Sequence, residues 1–528
     1  MIPSNIQIHR RLVRYKITMA DSLGNSLTVP YSDDEQPNFA YFVYSGTPSW
    51  NGAFNPGTTA VQNYSSSLLD TLPPFHIIAN AADISSFQSG NSTRYYATVV
   101  NRGKVFDHVQ FRVRGIGSTT VSGKNKWNVY FNRARDFQAY DNYGIPYKET
   151  WNNLLINANS SPWAAVNRGS AGVEEAASNR IFQLAGLAAQ NTHYLHLRVI
   201  DEAAESGATQ YDGDLWGLYL GMEPTEGNFL DERGLADGNV YSIEGGGGDK
   251  KHQGPTQSVD SSDWSSFSNG VNQSGQTEQW YRDNVDLDAL YTFLALNRLI
   301  GNVDVRPGDN YRFYHRPTDN RWVIIPYDLD MQFIAAHHWG GTMDGVVVAG
   351  APNVIRSISR HPNLAREFRN RCRELLSLMA SNGSSSGGQI GQLFNEFAQI
   401  VNPTGVALTW ADLDAAMWNM NPKTNGTVGA TTGQSNHKGN FFRATYYDGS
   451  RGAGGTTGTT SWIRSLPDPD SDGFSDHEGQ TQWFVNYATN TWPGGTWNRK
   501  AMTGIGTGND TDINRQKGYG YKYLEFES

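Results

Sequence analysis

Residues 302–333 read NVDVRPGDNYRFYHRPTDNRWVIIPYDLDMQF, and no other stretch limits the possible folds of this chain so strongly. Two runs rich in β-branched and aromatic residues, NYRFYH and RWVIIPYD, are separated by Pro317-Thr318-Asp319-Asn320, which predicts a hairpin. Strand residues alternate faces, so such a hairpin holds side chains at fixed separations. Asp304 precedes the first strand, Asn310 begins it, and Asp328 and Asp330 close the second. Carboxylates and an amide converging on one edge are hard oxygen ligands of the kind that hold Mg²⁺ on a polyphosphate. One of the acids is then free to orient or deprotonate an attacking hydroxyl.

With 528 residues, the chain exceeds what one small core organises, so several structural units, or one domain with large insertions, are expected. Its formal charge of −9 and the absence of a dense Lys/Arg run argue against a nucleic-acid partner held by the overall field. Cys372 is the single cysteine, so no intramolecular disulfide contributes to the fold, and a buried structural thiol is expected. No run approaches the length of a transmembrane segment, and MIPSNIQIHRRLVRY lacks the apolar core of a secretory signal. Either a cytoplasmic protein or a segment of a longer precursor fits these observations.

Along the chain, residues 1–72 read as short strands and turns. PFHIIAN, TRYYATVVNRG and HVQFRVRG follow as strands, and GIGSTTVSGKNKWNVYFNR is a Gly/Ser/Thr-rich turn feeding another. Lys124 and Lys126 stand where that turn meets the strand, as a phosphate-binding loop would place a cation, although a solvated hairpin lysine reads equally simply. The spacing of Val173, Ala177, Ile181 and Leu184 predicts a helix closed by Gly186. Glu174 and Glu175 in its first turn either face a strand lysine or serve only the helix dipole. Residues 245–275, poor in apolar side chains, read as a surface excursion. An amphipathic helix from Leu287 to about Leu299 leads into Asp304, and helices are expected at 363–380, 388–401 and 410–418.

In the polar tail, DPDSDGFSDHEG places Asp468, Asp470, Asp472 and Asp476 at alternate ligand positions around Gly473, the pattern of a Ca²⁺ loop, with Gly479 where the bidentate acid belongs. The run resembles thrombospondin-type calcium repeats. An uncoordinated acidic turn is the other reading.

FRVRGIGS with GKNKW, NRGSAGVEEAASNRIFQLAG, WGLYLGMEPTEGNFLDERGLADGNVY, NVDVRPGDNYRFYH and IIPYDLD occur in the order and approximate spacing of the CotH kinase family, which the chain resembles over about residues 73–400. The resemblance implies an α+β, bilobal, atypical protein-kinase-like fold spanning 73–420, with a β-rich segment at 1–72 and a polar, Gly-rich extension at 421–528. It implies ATP and Mg²⁺ as cofactors and a protein hydroxyl on a secreted, surface or coat protein as acceptor, hence an extracellular or cell-surface location. Position by position it makes Asp304 the catalytic aspartate and Asp328 the metal-binding aspartate, with Asn310 and Asp330 beside it. Lys124, Glu223 and Arg114 become nucleotide-pocket residues, with Arg168 a further motif arginine. Tyr327 stands where the family usually has tryptophan. Two other classes remain open: a non-catalytic surface or adhesion protein with a calcium-binding repeat, and a glycosidase using a carboxylate pair.

Overall fold

The computed structural model describes residues 2–418, apart from stretches of which 116–123, 160–170, 303–304, 306–309, 333–360 and 380–387 are the most relevant here, and, beyond 418, only residues 491–492 and 495–496. Asp304, Arg168, the aspartates at 468, 470, 472 and 476 and nearly all of the C-terminal extension therefore lie outside the described residues.

Six short strands open the chain: β1 (Arg11–Tyr15), β2 (Ile17–Ala20), β3 (Ser26–Val29), β4 (Phe39–Val43), β5 (Trp50–Gly52) and β6 (Gln62–Tyr64), paired as β1–β4, β2–β3 and β5–β6. Next come β7 (Pro74–Ile78), β8 (Tyr95–Asn101), β9 (Lys104–Arg114), β10 (Lys126–Tyr130), β11 (Asn153–Asn157), β12 (Thr192–Ile200) and β13 (Leu215–Met222). These seven close into a barrel in the order β10-β11-β13-β12-β7-β8-β9. All its pairings are antiparallel except β7 with β12, where Phe75 lies opposite Leu197. Closure removes exposed sheet edges, and the interior fills with large side chains: Trp127 is fully buried and stacks on Phe87 with centroids 3.8 Å apart.

A second sheet follows, built from β14 (Val240–Glu244), β15 (Gly247–His252), β16 (Tyr311–His315) and β17 (Trp322–Pro326) in the order β15-β14-β16-β17. Period-2 alternation gives it two unlike faces. Phe313 and Trp322 pack with Trp264 and Phe267, and His315 stacks on Trp322 at 4.4 Å. On the opposite face Tyr314 and Ile325 join Phe229 and Leu230.

This architecture corrects the expected bilobal protein-kinase-like fold. A closed seven-stranded barrel stands in its place. The local strands were readable, but the parallel β7–β12 pairing that closes the barrel joins segments far apart in sequence and leaves no local signature. The supposed surface excursion at 245–275 is also corrected. It contains β15 and the helix Ser262–Asn272, whose Trp264 and Phe267 form part of the aromatic core despite their sparse apolar surroundings.

The helices at Val173–Leu184, Leu287–Leu299, Pro362–Met379, Gly388–Val401 and Trp410–Trp418 lie at the expected places. Gly186, at φ +93°, turns the chain out of the first of these. Cys372 is buried. No helix among the described residues is long and apolar enough to cross a membrane.

Candidate active site

Charged groups gather where the barrel meets the second sheet. From the barrel come Arg114 at the end of β9, Lys126 at the start of β10 and Asn157 at the end of β11. Register places them together, since Lys126 pairs with Arg114 and Trp127 with Ile156. From the sheet come Tyr327, Asp328 and Asp330, just beyond β17. Tyr311 pairs with Pro326, so Asn310 leaves the sheet beside Tyr327 and Asp328. The helix Val173–Leu184 contributes Glu175.

Lys126 Nζ lies 2.7 Å from Asp330 Oδ2, both side chains under a tenth exposed at 8% and 7%. Asn157 Nδ2 donates to both carboxylate oxygens of Glu175 at 2.6 Å, and its Oδ1 accepts from Arg114 at 2.5 Å. Arg114 also donates to the Tyr327 hydroxyl at 3.1 Å and stands 3.9 Å from Asp328 Oδ1. Burial works against the charge on Lys126, yet Asp330 and Asp328 hold its ammonium above the usual lysine value. Arg114 is likewise opposed by burial and raised by Tyr327 and Asp328.

The acids respond in the opposite sense. Burial, then the neighbouring Asp330, pushes Glu175 up to about 7, with Lys126 pulling against them. Burial also raises Asp330, which Lys126 draws back down. The 2.7 Å contact favours an ionised Asp330 facing an ionised Lys126, with the surplus proton of this acid-rich cluster on Glu175.

Two site residues adopt left-handed backbone: Asn310 at φ 67° and Asp328 at φ 55°. Asn and Asp tolerate this region best among residues with a side chain, and such conformations concentrate at functional sites. Asp328 Oδ1 is buried without a hydrogen-bond partner among the described residues. An orphaned carboxylate oxygen is suited to a cation. No group of three or more His, Cys, Asp or Glu side chains forms a metal cage among the described residues. Mg²⁺ needs no such cage, because it binds through one or two carboxylates with phosphate oxygens and water. Asp328, with Asp330 and Asn310 adjacent, fits that requirement.

Other expected site residues lie elsewhere. Lys124 is fully buried, with Nζ 2.6 Å from Asp414 Oδ2 and 2.7 Å from the Leu218 carbonyl. Burial lowers Lys124 and raises Asp414, so desolvation outweighs their attraction in both directions. This lysine ties the barrel to the helix Trp410–Trp418, and the cluster's lysine is Lys126, two residues on. Glu223 is buried against Arg233, at 2.7 and 3.0 Å, and accepts from the Asn191 backbone N–H. No contact described for it reaches Asp328 or Asp330.

Asn157 escaped notice in the sequence because NLLIN reads simply as a buried strand; its position at a strand end facing an acidic helix turn was the available signal.

A lysine, an arginine and three acids thus form a charged, largely buried cluster at the junction of the barrel and the four-stranded sheet. The family model described as CotH kinase protein matches residues 112–386, just over half of the chain, and the protein belongs to the CotH kinase family. No curated protein matches the chain.

Proposed function

We propose that this protein is an ATP-dependent kinase that transfers phosphate from Mg²⁺-ATP to a hydroxyl of a secreted, surface or coat protein. The observation carrying this reading is the buried Lys126–Asp330 pair beside the orphaned Oδ1 of Asp328, within the segment matched by the family. Phosphoryl transfer passes through a loose transition state, and its catalysis is mainly positioning and charge neutralisation. In this reading Lys126 holds phosphate oxygens, and the Glu175–Asn157–Arg114 chain of hydrogen bonds fixes the barrel side of the site. Asp328, with Asn310 and Asp330, holds Mg²⁺, which when bound offsets the charge of the phosphates. Asp304 orients the acceptor hydroxyl. Replacing Asp304 by alanine is expected to abolish transfer of labelled phosphate from ATP while leaving the melting temperature within a few degrees; full transfer by the variant would remove Asp304 from the mechanism.

One observation favours a second reading. Lys126 and Asp330 already satisfy each other, which suits a non-catalytic surface protein that keeps the fold without turnover. A ligand bound only by the native state raises stability, so thermal stabilisation by Mg²⁺-ATP separates the two readings. The aspartates at 468–476 support a Ca²⁺ loop on their spacing alone, and calorimetric titration that gives no heat at millimolar Ca²⁺ would remove it.

A further inference from the structure

Four lysines and arginines are buried among the described residues: Lys124, Lys126, Arg198 and Arg312. Three of them face carboxylates, namely Asp414 at 2.6 Å, Asp330 at 2.7 Å and, for Arg198, Glu205 at 3.4 Å. Arg312 does not. It is 6% exposed, and its Nε is buried without a hydrogen-bond partner. Directly across the sheet are Ser242 on one side and Ile325 on the other, neither charged. Its guanidinium stands over the Tyr327 ring, 4.0 Å from the centroid, and no carboxylate is among its described contacts. An aromatic face offsets only part of the desolvation of a buried cation, and among the described residues no carboxylate supplies the rest.

Its direction shows where the counter-ion belongs. Alternation along β16 sends Tyr311 and Phe313 toward the aromatic core and Arg312 to the opposite face, where Tyr327 lies next to Asp328. Arg114 approaches the same ring, 5.7 Å from its centroid, but its donors are engaged by Asn157 Oδ1 and the Tyr327 hydroxyl. The Nε of Arg312 has no hydrogen-bond partner among the described residues. A guanidinium offers parallel N–H groups matched to two oxygens of a phosphate, and its charge does not titrate.

We propose that Arg312 is an anion-recognition residue of this site and that it binds a phosphate group of the ligand. That this phosphate belongs to a nucleotide rests on the kinase reading; the need for an anion does not. The test measures binding of Mg²⁺-ATP, Mg²⁺-tripolyphosphate and adenosine by calorimetry to the wild-type protein, Arg312→Met and Arg312→Lys, with melting temperatures of the ligand-free proteins.

Arg312→Met is expected to bind Mg²⁺-ATP and tripolyphosphate at least tenfold more weakly, with a shallower salt dependence and unchanged adenosine binding. Arg312→Lys is expected to recover part of the loss. Without ligand, Arg312→Met should melt no lower than wild type, because an uncompensated buried charge has gone. A lower melting temperature with unchanged tripolyphosphate affinity would make Arg312 a packing residue and overturn the proposal. Arg312-dependent binding of tripolyphosphate without binding of ATP would sustain the anion site and end the kinase reading. ATP binding and phosphate transfer indifferent to Arg312 would do the reverse.

Discussion

The 2.7 Å contact between Lys126 and Asp330 joins the first residue of a barrel strand to an acid just past the last strand of a separate sheet. It is a bond between the barrel and the sheet, not within either of them. Removing one partner of such a buried pair typically costs about 3–5 kcal/mol, because the other charge is left uncompensated. Lys126→Met is therefore expected to lower unfolding free energy by roughly that amount and to abolish phosphate transfer. The double variant Lys126→Met/Asp330→Leu should regain most of the stability in urea titrations and none of the transfer. Equal stability of the single and double variants would show that the pair is not coupled.

Glu175 gives the protein a pH signature. Its folded pKa of about 7 lies above the ordinary carboxyl value, burial being the main cause. Between those two values the folded state keeps a proton that the unfolded state has released. Stability from this group is therefore full at acid pH, declines as pH rises toward about 7, and levels off above it. Glu175→Gln should flatten that decline in melting temperatures recorded across the interval. An unchanged slope would place the surplus proton on another member of the cluster.

Asp328 separates stability from ligand binding. Its backbone is left-handed and its Oδ1 has no hydrogen-bond partner among the described residues, although its charge supports Arg114 and Lys126. Asp328→Gly is expected to melt close to the wild-type temperature, the relieved backbone offsetting the carboxylate lost beside Arg114, and to lose all Mg²⁺-dependent stabilisation by ATP. A variant that still shows this stabilisation in thermal-shift titrations would remove Asp328 from the metal site.

Lys124 and Asp414 supply the contrasting case. Both side chains are essentially unexposed, at 0% and 1%. Asp414→Ala should cost about 3–5 kcal/mol, whereas Lys124→Met/Asp414→Leu should recover part of that, the Leu218 backbone N–H still lacking the Asp414 Oδ1 that accepts from it. The double variant should retain nucleotide affinity; a tenfold loss would return Lys124 to the site.

What the sequence disclosed follows from the range of the forces involved. β16, β17 and the turn between them rest on local alternation and turn chemistry, and they appear where NYRFYH and RWVIIPYD place them. Asp328, Asn310 and Asp330 gather at one sheet end because neighbouring strands fix their separation. Lys124 and Lys126 share a face of any extended strand, so only the helix at 410–418, which brings up Asp414, decides which lysine joins the cluster. Arg312 carries no signal in the strand pattern, because whether a charge is answered depends on neighbours from other strands. Barrel closure was invisible for the same reason.

The separation of Lys124 from Asp414 is 290 residues. At a synthesis rate of about 5–20 residues per second, roughly 15–60 s pass between the emergence of the one and the other. From the emergence of Met222, which ends the last barrel strand, every strand of the barrel is outside the ribosome, while the lysine destined for its interior still has no counter-charge. The nascent barrel must therefore leave that corner open to water until the helix at 410–418 arrives to seal it, which makes the end of this region a timing element in the biogenesis of its beginning.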